Sequence, residues 1–88
     1  MAVRFSVSID VMPKDGISDP QGQTIEQALP TLGLEGIRRV RVGKRIELTL
    51  EAVDEGAARS IVDEACHRFL ANPVIEQFEV SLIPATGH

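Results

Sequence analysis

The residues best able to carry out chemistry in this chain are its single cysteine and its two histidines. Cys66 and His67 are neighbours on a predicted helix, so their side chains point about 100° apart and cannot form a nucleophile–base pair. Cys66 flanks an apolar stripe and is expected to be a small buried hydrophobic residue, whereas His67 falls on the solvent side. With His88 in the C-terminal segment, these side chains do not make a zinc site.

The carboxylates are plentiful, but their positions have structural explanations. Asp19 and Asp54 each precede a predicted helix and are expected to be N-caps, whose oxygens accept the N–H groups of the first turn. Asp63 and Glu64 lie on an exposed helix face. The sequence shows no paired carboxylates in a predicted cleft and no glycine-rich phosphate-binding pattern. We therefore expect no catalytic site and no metal site on this chain.

The most informative short segment is residues 19–22, Asp-Pro-Gln-Gly, where an alternating pattern gives way to a helical one. Pro20 suits the first helical position, because its missing N–H costs nothing there. Gly22 is less expected, since glycine inside a helix costs roughly 1 kcal/mol against alanine. The sequence therefore predicts a close approach of another group to the backbone at Gly22. Anion binding there is disfavoured, because Asp19 already occupies the positive end of the helix dipole.

Length and charge limit the classes of function. A chain of 88 residues is expected to be one domain, and a domain of this size is marginally stable alone, so oligomerisation or a partner is expected. The net charge of −4 argues against nucleic acid and anionic membranes, which are bound through excess Lys and Arg. The single cysteine fits a reducing cytoplasm, and no apolar run approaches the ~20 residues of a membrane span.

Apolar periodicity predicts a strand followed by a helix in the first part of the chain. Alternating apolar residues from Val3 to Val11 predict a first strand with one buried face. A helical stripe follows Asp19, and Gly33 is expected to end that element. Pro30 interrupts the stripe and predicts a kink or an early end of the helix. The apolar positions of this helix are Ile25, Ala28, Leu29 and Leu32.

The middle of the chain predicts a hairpin. Residues 37–42 and 45–51 alternate between apolar and polar side chains and are predicted to be two strands joined at residues 43–44. A two-residue turn there would place Val42 opposite Arg45, and directly opposed residues share a face of the sheet. We therefore expect an irregular turn or a bulge at this point.

A second helix and a fourth strand complete the predicted fold. The helix starts after Asp54, and residues 78–82 alternate as a strand. The apolar stripe of this helix consists of Ala58, Ile61, Val62, Ala65 and Phe69. The order βαββαβ predicts a ferredoxin-like α+β fold, in which a four-stranded antiparallel sheet carries both helices on one face. We expect residues 1–83 to form this single domain and residues 84–88 to be a flexible C-terminal tail.

Three segments together resemble the PurS family, the small subunit of phosphoribosylformylglycinamidine synthase. They are residues 14–22 (KDGISDPQG), 40–50 (VRVGKRIELTL) and 70–80 (LANPVIEQFEV). Their order and spacing on a chain this short are specific, and the resemblance covers nearly the whole chain. It departs from the family pattern at Pro30, where the family usually continues its helix, and at Arg45, which replaces an aromatic residue often found there.

The resemblance implies a non-catalytic role in de novo purine biosynthesis. In that family the glutaminase PurQ releases ammonia, and the ATP-dependent synthetase PurL uses it to convert formylglycinamide ribonucleotide to the amidine. PurS bridges the two enzymes, assists ammonia transfer, and forms dimers or larger assemblies. The resemblance also implies no cofactor on this chain, with ATP and Mg on the synthetase. By motif match, the candidates for subunit contacts are Asp19, Pro20, Gln21, Gly22, Arg41, Gly43 and Lys44.

Two other classes of protein share the predicted topology. A regulatory domain of the ACT type would bind a small ligand through a glycine-rich first loop facing a dimer partner, and Gly16 is the glycine that this loop offers. A small acylphosphatase-like enzyme would need an arginine in its phosphate loop and an asparagine partner. The first loop holds Lys14 but no arginine, and the only asparagine, Asn72, sits at a helix end.

Overall fold

The computed structural model describes residues 2–85, which form three strands and two helices. A 3-10 turn extends the first helix and a π turn extends the second. In chain order the elements are β1 (Val3–Pro13), α1 (Pro20–Ala28), the 3-10 turn (Leu29–Leu32), β2 (Lys44–Ala52), α2 (Glu55–Ala65), the π turn (Cys66–Leu70) and β3 (Glu76–Pro84).

The three strands form one antiparallel sheet with β1 in the middle, in the order β2-β1-β3. The register places Val7 opposite Leu48 on one side and opposite Leu82 on the other. Opposed residues share a face, so the apolar positions of all three strands meet on the same side of the sheet. The central strand contributes the most deeply buried side chains of that face, which are Phe5, Val7, Ile9 and Val11.

Helix α2 covers the apolar face of the sheet with Ala58, Val62 and, from the following turn, Cys66, all of them buried. Asp54 caps this helix as predicted, because its carboxylate accepts the N–H of Ala57 at 2.8 Å. Since α2 is short and the sheet is long, the apolar side chains of β2 on this face stay half-buried. These side chains are Ile46, Leu48 and Leu50.

The predicted four-stranded sheet is wrong, because residues 37–42 do not join the sheet. The N–H groups of Val40 and Val42 are accepted by side-chain carboxylates of other segments and not by a neighbouring strand. Arg39, with φ at +61°, also breaks the extended course of this segment. The predicted hairpin is absent as well, since Lys44 starts β2 opposite Val11 of the central strand.

The prediction that both helices pack on one face of the sheet is also wrong. Only α2 does so, whereas α1 makes no extensive contact with any described strand and adds no residue to the apolar core. Ile25 and Leu32, members of its predicted stripe, are 40% and 72% exposed. The molecule is therefore extended, with a radius of gyration of 17.1 Å against about 12 Å for a compact chain of this length.

Both helices end in irregular turns. The α-helical part of α1 ends at Ala28, shortly before Pro30, so of the two outcomes predicted at this proline, a kink or an early end, the structure shows the early end. Gly33, with φ at +83°, then closes the 3-10 turn by donating its N–H to the carbonyls of Leu29 and Pro30.

The π turn after α2 corrects the predicted stripe of that helix. Phe69 is 88% exposed, whereas Leu70 packs half-buried against the core. A π turn inserts one extra residue into the helical repeat, which rotates the following side chains away from the positions that a regular α-helix would give them. Ile61, the outermost member of the predicted stripe within α2, is also exposed.

The last strand of the sheet extends almost to the end of the described residues. The predicted fourth strand is confirmed as β3, which runs to Pro84, and the N–H of Ala85 is accepted by the carbonyl of Arg4 at 2.8 Å. Residues 86–88, including His88, lie outside the described part, so the tail predicted for residues 84–88 stays a prediction, as does the single domain over residues 1–83. No helix within residues 2–85 is long and apolar enough to cross a membrane.

Candidate functional site

The carboxylate of Asp19 joins two distant segments of the chain. One oxygen, Oδ1, accepts the N–H of Gly22 at 3.0 Å and so caps α1. The other, Oδ2, accepts the N–H of Val42 at 2.8 Å. The N–H of Gly22, and then that of Val42, lowers the pKa of the Asp19 carboxyl, because both bonds favour its charged form. Asp19 thus fastens the start of α1 to the segment that leads into β2.

Glu26 makes a second attachment that the sequence analysis did not anticipate. Its Oε1 accepts the N–H of Val40 at 2.9 Å, so two carboxylates on one side of α1 hold alternate amides of the same segment. Glu26 is the only charged residue within α1. A single carboxylate in an otherwise uncharged helix was the feature of the sequence that could have indicated this contact. We call the set Asp19, Gly22, Glu26, Val40 and Val42 the α1 junction.

The close packing at two glycines explains why these positions lack side chains. A Cβ on Gly22 would lie 2.5 Å from the carbonyl oxygen of Val40 and 2.5 Å from Oδ2 of Asp19, so the predicted close approach is confirmed. A Cβ on Gly43 would collide with the side chain of Met12 and the carbonyl oxygen of Val11. Both glycines therefore allow the 37–43 segment to pass against α1 and the end of β1.

The remaining predicted contact residues lie around the α1 junction with different exposures. Pro20 and Gln21 are exposed on the first turn of α1, and Lys44 is exposed at the start of β2. Arg41 is half-buried, and its Nη1 donates to Oδ1 of Asp15 at 2.9 Å. The structure thus gives Asp19, Gly22 and Gly43 internal contacts, and it leaves Pro20, Gln21 and Lys44 open to solvent.

The candidate nucleophile and base are placed as predicted. Cys66 is fully buried in the core, and desolvation, followed by the nearby charge of Asp63, raises the pKa of its thiol. His67 is exposed, and its Nδ1 lies 2.9 Å from the carbonyl oxygen of Asp63. Its ring forms a T-shaped pair with the ring of Phe78, with the two ring centroids 5.3 Å apart. Within residues 2–85 no group of histidine, cysteine and carboxylate side chains could hold a metal ion.

The fold and the α1 junction define a class of protein. Apolar side chains stay exposed on several sides of the molecule, and β2 and β3 are open edges of its sheet. Exposed apolar surface and open strands are typical of subunits that bind other proteins. The exposed apolar side chains include Ile25, Leu32, Phe69, Val74 and Ile83. This is a small α+β protein whose surface is suited to assembly with other proteins.

Comparison with known proteins identifies the family. The family model for PurS, phosphoribosylformylglycinamidine (FGAM) synthase, matches residues 6–84. A curated relative from Synechocystis, phosphoribosylformylglycinamidine synthase subunit PurS, is 41% identical over 78 residues, which are 89% of this chain and 78% of the relative. The chain belongs to the PurS family of FGAM synthase subunits.

Solved structures agree with this assignment. The PurS subunit of FGAM synthase from Thermotoga maritima superposes with a TM-score of 0.83 at 36% identity, covering 94% of this chain and 95% of that one. A chain in the structure of PurLQS from the same organism gives a TM-score of 0.82 at 38% identity, with coverage of 91% and 98%. The three-stranded fold with two helices is therefore a PurS fold.

Proposed function

We propose that this chain is the bridging subunit of phosphoribosylformylglycinamidine synthase. It joins the glutaminase PurQ and the ATP-dependent synthetase PurL and assists the transfer of ammonia between them in de novo purine biosynthesis. The observation that carries this proposal is the match over 91% of the chain to a protein in the PurLQS structure. ATP and Mg belong to the synthetase, and the complex works in the cytoplasm.

The shape of the protomer supports a bridging role. It measures 56 × 30 × 15 Å, so a single copy spans a long distance with little mass. Its exposed apolar residues lie on α1, on the π turn and on β3, so more than one partner can bind at once. A subunit of this kind raises the effective concentration of ammonia at the synthetase without taking part in bond formation.

The contacts to the other subunits are proposed to lie around the α1 junction. Asp19, Gly22 and Gly43 fix the course of the backbone there through internal contacts. The side chains that meet a partner are those that the structure leaves at least partly exposed, namely Pro20, Gln21, Arg41 and Lys44. Self-association into a homodimer or a larger assembly accompanies these contacts, because a protomer this extended buries little of its own apolar surface.

The alternative of an ACT-type regulatory domain loses its main support. That hypothesis rested on the βαββαβ order, and the sheet formed by residues 2–85 has three strands. The same holds for an acylphosphatase-like enzyme. Gly16, the glycine of the first loop, has φ at +84° with open space around it, and it shapes a turn between β1 and α1.

The proposed function is tested by comparing two sources of nitrogen. Synthetase and glutaminase are assayed with and without this chain, once with glutamine and once with a high concentration of ammonium. We expect glutamine-dependent product formation to fall when the chain is withheld. A high concentration of ammonium restores much of the synthetase rate, because it supplies ammonia to the synthetase without delivery from the glutaminase.

The control is a variant at the proposed contact surface. Gln21→Ala is expected to reproduce the loss with glutamine in milder form while leaving the circular dichroism spectrum unchanged. An equal loss of the glutamine-driven and ammonium-driven rates on withholding the chain would contradict a bridging role.

A further inference from the structure

Positive charge is concentrated in one short segment of this acidic protein. The net charge is −4, yet five of the nine basic residues lie within residues 38–45 (RRVRVGKR), a stretch that contains no acidic residue. We call residues 38–45 the basic segment. It passes against α1 and the end of β1 and leads into β2. A group of like charges on a protein of opposite net charge indicates a surface for a charged partner.

Two arginines of the basic segment are already neutralised within the chain. Arg41 lies 2.9 Å from Asp15, and Arg45 lies 2.8 Å from Asp10. The arginines outside the segment are paired in the same way, so their charge is also met within the chain. They are Arg4, Arg59 and Arg68, whose partners are Glu51, Glu55 and Glu64.

The other three basic residues of the segment have no such partner. Arg38, Arg39 and Lys44 are exposed, and no carboxylate of residues 2–85 lies within ion-pair distance of them. The carboxylates of Asp19 and Glu26 accept backbone N–H groups of the same segment instead. The charge of these three basic side chains is therefore available to another molecule.

Arg39 has an unusual backbone conformation. Its φ is +61°, the one positive value at a residue other than glycine within residues 2–85. The left-handed region is disfavoured for a residue with a Cβ, because the Cβ crowds the following carbonyl oxygen. The N–H of the next residue, Val40, is held by Oε1 of Glu26 at 2.9 Å, so the fold keeps this conformation. Residues kept in disfavoured conformations are frequent at binding sites.

We propose that Arg38, Arg39 and Lys44 bind a carboxylate-rich surface on one of the two enzymes with which this chain assembles. The inference rests on the proposed bridging function and specifies the chemistry of one of its contacts. Guanidinium groups bind carboxylates through two parallel N–H···O bonds, so arginine favours this kind of partner. Because the α1 junction holds the N–H groups of Val40 and Val42, the segment is ordered before the partner binds, which lowers the entropic cost of binding.

A nucleic acid is the poorer occupant of the basic segment. Nucleic acids are bound through many basic residues and, when single-stranded, through stacking on aromatic side chains. Three unpaired cations on a protein of net charge −4, with neither Trp nor Tyr, do not provide such a surface. Glu47 and Glu79, exposed on the polar face of the sheet, would also repel a long polyanion. A protein with a local acidic surface needs to contact only the basic segment.

Charge reversal tests the proposal. Arg38→Glu and Arg39→Glu are each made in the full chain, and binding to the synthetase and to the glutaminase is measured separately by surface plasmon resonance at low and at high salt. We expect each variant to bind one of the enzymes about tenfold more weakly at low salt, mainly through slower association, because exposed charges act on the encounter of the two proteins. Added salt should weaken binding of the wild type more than binding of the variants.

Arg59→Glu is the matched control, since it makes the same change of charge on α2, outside the basic segment. It should leave both affinities within about twofold of the wild type. An unchanged circular dichroism spectrum and urea midpoint show that each variant is folded. An equal loss of binding in Arg59→Glu reflects net charge alone and overturns the proposal.

The outcomes also separate this proposal from the proposed function. Wild-type affinity for both enzymes in Arg38→Glu and Arg39→Glu overturns the basic segment as a contact, while glutamine-dependent activity that still requires the chain leaves the bridging role intact. A wild-type chain that binds neither enzyme overturns both.

Lys44 allows a test that needs no variant. A carbodiimide joins an amine to a carboxylate only when the two are in contact, and Lys14 and Lys44 are the two lysines of the chain. Lys14 lies outside the basic segment, and its Nζ donates to the carbonyl of Pro73 at 2.8 Å. We expect mass spectrometry of the treated complex to show Lys44 joined to an Asp or Glu of one enzyme. Cross-links from Lys14 alone overturn the proposal, and so does binding of single-stranded RNA that Arg39→Glu abolishes.

Discussion

At Gly22 the absence of a side chain allows the first turn of α1 to lie against the backbone of Val40. The sequence predicted a close approach at this position, but the partner, the carbonyl of Val40, lies in a segment that the sequence assigned to the sheet. Gly43 is different, because the irregular hairpin turn predicted there is wrong, since the hairpin itself is absent. Its φ is not positive, and the reason for a glycine there is its contact with Met12 and Val11, which no local pattern reveals.

A pair of glycine substitutions measures this effect. Gly22→Ala is expected to destabilise the protein by roughly 1–3 kcal/mol, because the new methyl group meets backbone and the capping carboxylate and cannot be accommodated without a shift. Gly56→Ala is the matched control within α2, where the nearest atom lies at 3.5 Å, and it should stabilise the chain by roughly 0.5–1 kcal/mol. Urea denaturation of both variants measures the change in the free energy of unfolding. Equal changes in the two variants would contradict the close approach of the Val40 backbone to Gly22.

At the scale of elements, the sequence predicted the strands with one buried face correctly. β1, β2 and β3 were recognised because alternation reports burial, and one face of each strand is buried or half-buried. Residues 37–42 show the same alternation, yet the backbone N–H groups of Val40 and Val42 donate to the carboxylates of Glu26 and Asp19. Alternation says which side chains share a face but not which group receives a backbone hydrogen bond, so this segment was misassigned.

Helix α1 is attached largely through carboxylates, so its attachment depends on pH. The N–H groups of Gly22 and Val42 hold the pKa of Asp19 in the folded state below the ordinary value of an aspartate, so its contribution is fully present above that ordinary value. The contribution is lost as the pH falls through the lower, folded pKa. We expect the urea midpoint of the wild type to fall towards that of Asp19→Asn between about pH 5 and about pH 2.

The variant Asp19→Asn also serves as the control for this measurement. The pKa of Asp10 is lowered as well, through its hydrogen bonds with Arg45, and it contributes in the same direction in both proteins. The difference between wild type and variant therefore isolates Asp19. A difference that stays constant over the pH range would show that the charge of this carboxylate does not hold α1.

At the scale of the whole molecule, the extended shape could not be predicted from the sequence. The apolar stripe of α1 is typical of a helix packed on a sheet, but its residues stay largely exposed in the single chain. Periodicity identifies an apolar face without saying whether it is covered by the same chain or by another one. Only the resemblance to a subunit of a multi-subunit enzyme indicated that another chain covers this apolar face.

Phe69 provides a test of whether an exposed apolar side chain contributes to binding other subunits and not to the stability of the fold. Because it is 88% exposed, Phe69→Ser is expected to change the free energy of unfolding by no more than about 0.5 kcal/mol. The same change should weaken binding to the synthetase and glutaminase, and Phe69→Leu should retain most of the binding. Phe5→Ala, in the core, is the contrasting control and should cost about 3–5 kcal/mol. Unaltered assembly with Phe69→Ser would exclude the π turn as a contact surface.

The central position of β1 has a consequence for how the protein is made. β1 is made before both of its neighbours in the sheet, β2 and β3, with Phe5 opposite Leu50 and Pro84. Its apolar residues therefore wait for nearly the whole chain before both sides are paired, and such distant pairings make folding slow. The sheet cannot close until β3 has been made, so truncation within β3 leaves the core strand open and prone to aggregate.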